Sequence, residues 1–355
     1  MHGLRGAGPR RFLREMCSVM KKNWMLGSAV LLLAAGVCVA QDSTVSPATA
    51  EAAQVQAPGA AKPIEPFPPV NLKNFTADSP SRETVDSFLR SMWGYDDNRI
   101  WSVAAVQTTP APGVSRVVVF VKDKTQPEKG NTTVFFVTPD GKHAIADTVI
   151  PFGAKPFADN RQMMIEKANG ASKGAASKDL EIVEFADLQC PHCKEFQDSM
   201  DKLAVDFPSA KIVFMEYPIA ELHPWAMQAA EEGECIRKEK GDAAFFTYAS
   251  AVFDWQGSLT KESGEQTLVN AVTKAGADPV KVKACSALPA TRAAVDEQKH
   301  VGMDLGVDQT PTIVVNGRVL PAGGVNYELL KRIIVYQAGL DGITLKVQPS
   351  LDTLK

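Results

Sequence analysis

Two cysteines three positions apart constrain this chain more than any other feature of its sequence. Cys190 and Cys193 follow the apolar run 180–185, which reads LEIVEF, and they open an amphipathic segment that extends to Phe207. The run has the composition of a buried strand, and the apolar residues of the later segment recur at helical spacing. The sequence therefore predicts a strand, a short turn and a helix that begins at the cysteine pair.

This placement gives the cysteines a chemical advantage. The N-terminus of a helix carries a partial positive charge and unpaired N–H groups, and both stabilise a thiolate. Thiolate is the nucleophile of disulfide exchange, so we expect Cys190 as the exposed attacking residue and Cys193, one turn deeper, as the resolving residue. His192 would add positive charge or a hydrogen bond to the Cys190 sulfur, and Pro191 suits the first turn of the helix.

A zinc half-site and a purely structural disulfide are the other uses of such a pair. Zinc usually requires four ligands in two such pairs, and the sequence contains no second Cys-x-x-Cys. A bridge across three residues closes too small a loop to add much stability. The spacing favours a redox pair that works without a metal or a cofactor.

Residues 1–40 have the features of a signal peptide. Residues 26–40 are apolar and uncharged, basic residues precede them, and Cys38 and Ala40 supply small side chains at the −3 and −1 positions of a cleavage site. An uncleaved membrane anchor is the alternative, although the apolar run from Trp24 is at the short limit for a span. We therefore expect a periplasmic or otherwise extracytoplasmic protein that is exported by this segment.

The composition is that of a globular protein and gives no electrostatic case for nucleic acid. Hydrophobic residues make up 45% of the chain, and the formal net charge is −3. The length of 355 residues is more than one ordinary core requires, and it indicates two domains with additional segments.

Changes in composition along the chain predict six segments. They are a signal peptide at 1–40, a disordered Ala/Pro-rich tether at 41–74, a small α+β domain at 75–155, a linker helix and linker at 156–178, a redox domain at 179–340 and a C-terminal tail at 341–355. In the small domain, Ser79 as N-cap and Pro80 begin a helix that runs to about Trp93. Strand-like runs follow at 116–122, 132–138 and 143–149.

The redox domain resembles a known family in two segments. Residues 184–193, EFADLQCPHC, resemble the active-site segment of DsbA-like proteins of the thioredoxin superfamily. Residues 310–317, TPTIVVNG, resemble the segment that carries the family's cis-proline. His223-Pro224, leading into a helical block, also fits, whereas Gln189 departs from thioredoxin itself, which has tryptophan there. The resemblance implies an α/β fold, a thioredoxin-like domain with a helical insertion, preceded by a small α+β domain.

The resemblance also implies roles for residues near the pair. Pro311 would be cis and packed against the cysteines, and Thr310 would offer backbone hydrogen bonds to an extended substrate peptide. An ordinary trans proline that begins a strand is the alternative. Glu184 would lie beneath Cys193 and relay its proton, unless it is a surface glutamate at a strand edge.

Two further cysteines fall in the helical block. We expect Cys235 and Cys285 to form a structural disulfide rather than two buried free thiols. His223 and His300 lack the spacing of metal ligands, and we interpret both as structural or solvated.

These observations predict a thiol–disulfide oxidoreductase that acts on unfolded or thiol-containing exported proteins by dithiol–disulfide exchange. The Cys-Pro-His-Cys motif resembles that of the oxidase DsbA, which slightly favours an oxidase. The two-domain layout resembles the isomerases DsbC and DsbG, so the resemblance allows a homodimer, and it implies a membrane redox partner. The rival hypothesis is a chaperone or assembly factor for exported proteins, with the cysteines as a redox sensor.

Overall fold

The computed structural model describes residues 67–147 and 149–345. The predicted signal peptide, residues 41–66 of the tether and residues 346–355 of the tail lie outside the described residues. The chain forms two compact units: the first combines the chain up to Pro80 with Ile100–Ile150, and the second combines Ser81–Arg99 with the chain from Pro151 onward. The structure therefore divides the segment 75–155, which the sequence analysis treated as one small domain, between both units.

The first unit contains a five-stranded sheet with strand order β1-β2-β3-β4-β5. Its strands are β1 (Arg99–Thr108), β2 (Ser115–Asp123), β3 (Gln126–Val137), β4 (His143–Ile145) and β5 (Val149–Pro151). β2 and β3 pair antiparallel, with Val117 opposite Phe135, and both side chains are buried. The expected strands at 116–122 and 132–138 correspond to β2 and β3, and the expected strand at 143–149 is divided into β4 and β5. β1 was not anticipated, because its buried residues 103–106 are consecutive and do not alternate with polar ones.

Helix α1 (Arg82–Trp93) belongs to the second unit. Its N-cap is Ser81, whose hydroxyl accepts a hydrogen bond from Thr84 N at 3.1 Å. The cap predicted from the sequence, Ser79, lies two residues too early, because either serine satisfies the cap preference. Gly94 ends the helix, as expected from the sequence.

The second unit is built on a second five-stranded sheet with strand order β10-β9-β7-β8-β6. Its strands are β6 (Ala171–Gly174), β7 (Leu180–Ala186), β8 (Ala210–Glu216), β9 (Thr312–Val315) and β10 (Arg318–Pro321). The central strand β7 pairs parallel with β8 and antiparallel with β9. All seven residues of β7 are buried, which is typical of a strand covered on both faces.

The segment 169–178, expected to be a linker, contains the edge strand β6, which pairs antiparallel with β8. Its glycines explain the error. A Cβ atom at Gly170 would lie 1.9 Å from Phe214 O, so this glycine permits a close backbone approach rather than flexibility.

Helices cover both faces of the second sheet. They are α2 (Ala158–Lys167), α3 (Pro191–Asp206), α4 (Ala226–Lys240), α5 (Asp242–Asp254), α6 (Gly264–Lys274), α7 (Pro279–Ser286), α8 (Pro289–Asp304) and α9 (Tyr327–Leu340). α3 and α9 pack on one face and α2 and α8 on the other, and α4–α7 surround a further apolar core. The element order β7-α3-β8, a helical block, β9-β10-α9 confirms the predicted α/β fold with its helical insertion.

Within the described part of the chain, none of the helices combines the length and the apolar character that crossing a membrane requires.

Candidate active site

The cysteine pair lies at the start of α3, directly after β7. Cys190 is the N-cap, with φ −75° and ψ 122°, and the preceding turn is closed by Cys190 N donating to Asp187 O at 3.0 Å. The Cys190 carbonyl accepts the first helical hydrogen bonds from Cys193 N at 3.1 Å and Lys194 N at 3.2 Å. Both cysteines are free thiols, so the structure describes the reduced pair.

The two thiols are both buried, but unequally. Cys190 is 5% exposed and Cys193 is fully inaccessible. The sequence predicts an exposed Cys190. It is buried instead because its sulfur lies under the backbone of another segment, 3.6 Å from Thr310 O. Cys190 is still the more accessible of the two cysteines.

The surroundings separate the acidities of the two thiols. A hydrogen bond from Cys193 is the main cause that lowers the pKa of Cys190 to about 5, and the backbone N–H groups of Cys193 and His192 add to it. Burial opposes this shift. Burial also raises the pKa of Cys193 far above its usual range, and Cys190 and Glu184 raise it further. The reduced pair therefore carries a thiolate on Cys190 and a proton on Cys193 at neutral pH.

His192 and Pro191 occupy the first turn of α3. The His192 imidazole is exposed, and its Nδ1 lies 3.1 Å from Glu195 Oε2. His192 favours the thiolate through its backbone N–H rather than through its ring. Pro191 stands at the first helical position, where it has no N–H group to leave unpaired.

Glu184 lies inside the domain on β7 and is 2% exposed, so it is not a surface glutamate. Gln197 Nε2 donates to Glu184 Oε1 at 3.0 Å and to Cys193 O at 3.2 Å, which connects the carboxyl group to the turn that carries Cys193. Burial raises the pKa of Glu184 to about 8. This carboxyl group can therefore hold or release a proton near neutral pH.

Thr310 and Pro311 lie beside the cysteines, at the start of β9. The Thr310–Pro311 peptide bond is cis. Thr310 contacts Cys190 through its carbonyl oxygen at 3.6 Å, although the two residues are 120 positions apart in the sequence. The structure thus brings both sequence-predicted segments, 184–193 and 310–317, to one place.

Asp187 and His223 also belong to this place. His223 was interpreted from the sequence as structural or solvated, and Asp187 was given no role although it lies in the motif segment 184–193. The Asp187 carboxylate is fully buried. It accepts hydrogen bonds from Gln189 N at 2.7 Å, from Ile219 N at 2.8 Å and from His223 Nδ1 at 2.8 Å. Its own backbone N–H donates to Cys193 Sγ at 3.4 Å. The available signal was positional, because Asp187 and His223 follow parallel strands whose carboxyl ends meet at the same edge of the sheet.

The other two cysteines of the described residues are bonded to each other. Cys235 on α4 and Cys285 on α7 form a disulfide with their Cα atoms 6.0 Å apart. In the described ranges, no group of three or more His, Cys, Asp or Glu side chains is arranged to hold a metal ion.

Comparisons with known proteins identify the second unit. Residues 167–335 match a protein-family model described as thioredoxin. Among solved structures, ScsC of Proteus mirabilis in a transitional conformation is similar at 21% identity and a TM-score of 0.43, over 51% of this chain and 81% of that chain.

Two curated proteins also match part of the chain. The Na(+)/H(+) antiporter NhaA 3 of Salinispora tropica is 31% identical over 67 residues, which cover 19% of this chain and 10% of the antiporter. The Na(+)/H(+) antiporter NhaA 1 of Salinispora arenicola is 28% identical over 164 residues, which cover 46% of this chain and 24% of the antiporter. The match to these curated relatives thus spans a quarter of their length or less.

The family match and the strand order agree with the position of the cysteine pair at the start of the helix after the central strand. Residues 167–335 are therefore a thioredoxin-like domain, which confirms the sequence-based resemblance to the thioredoxin superfamily.

Proposed function

We propose that this protein is a protein thiol–disulfide oxidoreductase that introduces disulfides into exported proteins. The observation that carries the proposal is the unequal pair at the start of α3. Cys190 has its pKa lowered to about 5 by hydrogen bonding, while Cys193 beside it is held protonated by burial. An oxidant is strong when its reduced form is stabilised, and a stable thiolate on Cys190 is such a stabilisation. A stabilised reduced form favours an oxidase over an isomerase.

The exchange starts from the oxidised enzyme. A substrate thiolate attacks Cys190 Sγ, so the Cys190–Cys193 bond breaks and a substrate–Cys190 disulfide forms. Cys193 leaves with the electron pair and takes up a proton. A second substrate thiolate then attacks the substrate sulfur of the mixed disulfide and releases Cys190 as a thiolate. The substrate has lost two electrons and two protons, of which the enzyme keeps both electrons and one proton, and the second proton goes to solvent.

Glu184 is the group proposed to donate a proton to Cys193 and to accept it again. It is buried beneath the pair, and its pKa of about 8 lies close to neutral pH, where proton exchange is efficient. Thr310 is proposed to bind the substrate backbone beside Cys190, with Pro311 completing that wall of the site.

The cellular setting of the proposal rests on residues 1–40, whose sequence is typical of a signal peptide. The enzyme would act in the periplasm or an equivalent compartment, and a membrane redox partner would reoxidise its cysteines after each cycle. Unfolded exported proteins with free thiols are the substrates that this cycle requires.

A redox titration tests the proposal directly. The purified oxidised protein is equilibrated with glutathione, and its rate of oxidation of a two-cysteine peptide is measured. We expect a potential clearly more oxidising than that of thioredoxin, which is about −270 mV, and no peptide oxidation by Cys190→Ser. A thioredoxin-like potential would contradict an oxidase and favour a reductase. Reactivation of a scrambled-disulfide protein faster than oxidation of the peptide would favour an isomerase.

A further inference from the structure

The helical insertion reaches the active-site turn through a glutamine side chain. Gln256 lies just after α5, in the short helical turn Gln256–Ser258. Its Nε2 donates to Leu188 O at 3.1 Å and to Cys190 O at 3.0 Å. One amide of the insertion therefore contacts the backbone on both sides of residue 189.

A second glutamine, on the active-site turn, bonds to the backbone of the insertion. Gln189 immediately precedes Cys190, at the position where the sequence departs from thioredoxin. Its Oε1 accepts a hydrogen bond from Trp225 N at 2.7 Å, and its Nε2 donates to Leu259 O at 3.3 Å. We call Gln189 and Gln256 the glutamine clamp, because four hydrogen bonds in both directions join the turn 188–190 to the insertion.

The clamp acts on the part of the turn that determines the state of Cys190. The thiolate is favoured mainly by a hydrogen bond from the Cys193 side chain and further by the backbone N–H groups of Cys193 and His192. These groups point at the sulfur only while the N-cap conformation is kept. The Cys190 carbonyl, which Gln256 contacts, is also the acceptor of the first helical hydrogen bonds. Leu188 is 1% exposed, so Gln256 supplies a hydrogen bond to a carbonyl shielded from water.

We propose that the glutamine clamp is a positioning device through which the helical insertion sets the oxidising power of the Cys190–Cys193 pair. The inference rests on the proposed function, and both glutamines are positioning residues rather than catalytic ones. Without the clamp the N-cap turn gains conformational freedom, and the N–H donors spend less time at the sulfur. The reduced form loses stabilisation, and the pair becomes a weaker oxidant.

Replacing the clamp does not change the charges around the turn, because glutamine and methionine are both neutral. The titratable and charged groups on the elements around Cys190 stay in place: Cys193, Glu184, Asp187, His192, Lys194, Glu195, His223 and Asp254. Methionine also has nearly the shape of glutamine, so the substitution removes the hydrogen bonds and little else.

The test compares Gln256→Met and Gln189→Met with Gln266→Met in the full chain. Gln266 is a matched control, because it is an exposed glutamine of the same insertion whose amide bonds to Asn270 within α6. The equilibrium constant of each protein with glutathione is measured, together with the pH midpoint of thiolate absorbance near 240 nm. Each clamp variant should shift the equilibrium about fivefold toward the disulfide form, which corresponds to about 1 kcal/mol, and should raise the thiolate midpoint. The control should match the wild type.

The outcomes separate the inference from the proposed function. A wild-type protein that does not exchange with glutathione would overturn the function itself. A wild type that exchanges, with clamp variants that keep its equilibrium constant and thiolate midpoint, would overturn only the clamp. A lowered melting temperature with both redox readouts unchanged would likewise overturn it, because the glutamines would then be structural. If Gln256→Met does not fold, Gln189→Met tests the same proposal, because Gln189 makes the other two hydrogen bonds of the clamp.

Discussion

At the residue scale, the two thiols of the site differ in acidity because hydrogen bonding dominates at Cys190 and burial dominates at Cys193. Cys190 receives hydrogen bonds that stabilise its thiolate, whereas Cys193 is buried next to groups that oppose its ionisation. The reduced pair therefore has a nucleophilic thiolate on Cys190 and a protonated thiol on Cys193 at neutral pH.

Alkylation of the reduced protein should report this asymmetry. We expect the rate of Cys190 modification by iodoacetamide to rise as the pH passes about 5 and then to level off, because only the thiolate reacts. Cys193 should stay unmodified over the same range. Mass spectrometry of the alkylated peptides measures both sites at once. Comparable labelling of the two cysteines at neutral pH would contradict the assignment of attacker and resolver.

Glu184→Gln should separate proton transfer from packing. Its raised pKa means that the folded state keeps a proton that the unfolded state has lost, so the wild type loses stability relative to the variant as the pH rises from 4.5 through about 8. Urea unfolding at several pH values measures this loss. Release of Cys193 from the enzyme disulfide should also slow, by roughly 10²-fold, because the amide cannot exchange a proton.

Glu181→Gln is the control for this experiment. Glu181 lies on the same strand, is 3% exposed, and also has its pKa raised by burial, but it is not among the groups that act on Cys193. It should change the pH dependence of stability and leave the exchange rate intact. Equal rates for Glu184→Gln and the wild type would exclude a proton relay through Glu184.

The sequence predicted the residues of this site where the signal was local, and failed where it was not. Cys190 and Cys193 were found because the spacing, the preceding strand and the following helix all lie within one short segment. The Asp187–His223 contact joins residues 36 positions apart, and nothing in either segment alone indicates the other. The burial of an aspartate cannot be recognised from its sequence position, because it depends on the tertiary structure.

At the scale of elements, α1 is held in the second unit by its C-terminal end. The guanidinium of Arg318 on β10 donates to Ser91 O and, at 3.2 Å, to Met92 O. Arg318 is 3% exposed, and its Nε donates to Gln337 Oε1 at 3.0 Å. A cation at the C-terminus of a helix satisfies carbonyl groups that have no partner in the helix and interacts favourably with its dipole.

Arg318→Met should therefore destabilise the protein by about 2 kcal/mol, since buried carbonyl groups lose charged donors. Chemical unfolding in urea measures the change. Arg90→Met is the matched control: its ion pair with Asp86 is 65% and 41% exposed, and its loss should cost less than about 0.5 kcal/mol. Equal effects of the two substitutions would show that the capping contact contributes nothing specific.

Helices and strands could be located from the sequence where their pattern of apolar residues is clear. The amphipathic pattern of α3 and the apolar run of β7 determined their positions to within one or two residues. β6 escaped because its glycines and small polar residues have the composition of a loop, and its strand conformation comes from pairing with β8. Tertiary pairing of this kind leaves no local signal.

At the scale of the whole molecule, the Cys235–Cys285 disulfide should stabilise the fold without taking part in exchange. It joins residues 50 positions apart, a loop for which the chain-entropy account gives about 3–4 kcal/mol. The double variant Cys235→Ser/Cys285→Ser should lower the melting temperature and keep the rate of peptide oxidation. Thiol counting under mild reduction provides the control, since only the active pair should then be open. Loss of oxidation in a folded double variant would assign this disulfide to the redox chemistry.

The number of units was predictable from length and composition, but their boundaries were not. The sequence places one boundary near residue 155, whereas the chain passes between the units after Pro80, after Arg99 and after Ile150. The helix between the first two crossings is amphipathic and gives no sign of which sheet it accompanies. Contacts such as that of Arg318 with Ser91 decide this, and they span more than two hundred positions.

This threading of the chain has a consequence for how the protein responds to cleavage. A protease that cuts after Arg99 produces one fragment that contains residues 81–99 of the second unit and another that contains residues 100–150 of the first. Each fragment then contains part of both units, so neither fragment contains all the residues of either unit. The two pieces should remain associated through native packing and separate only on denaturation, as in a split protein whose halves complement each other.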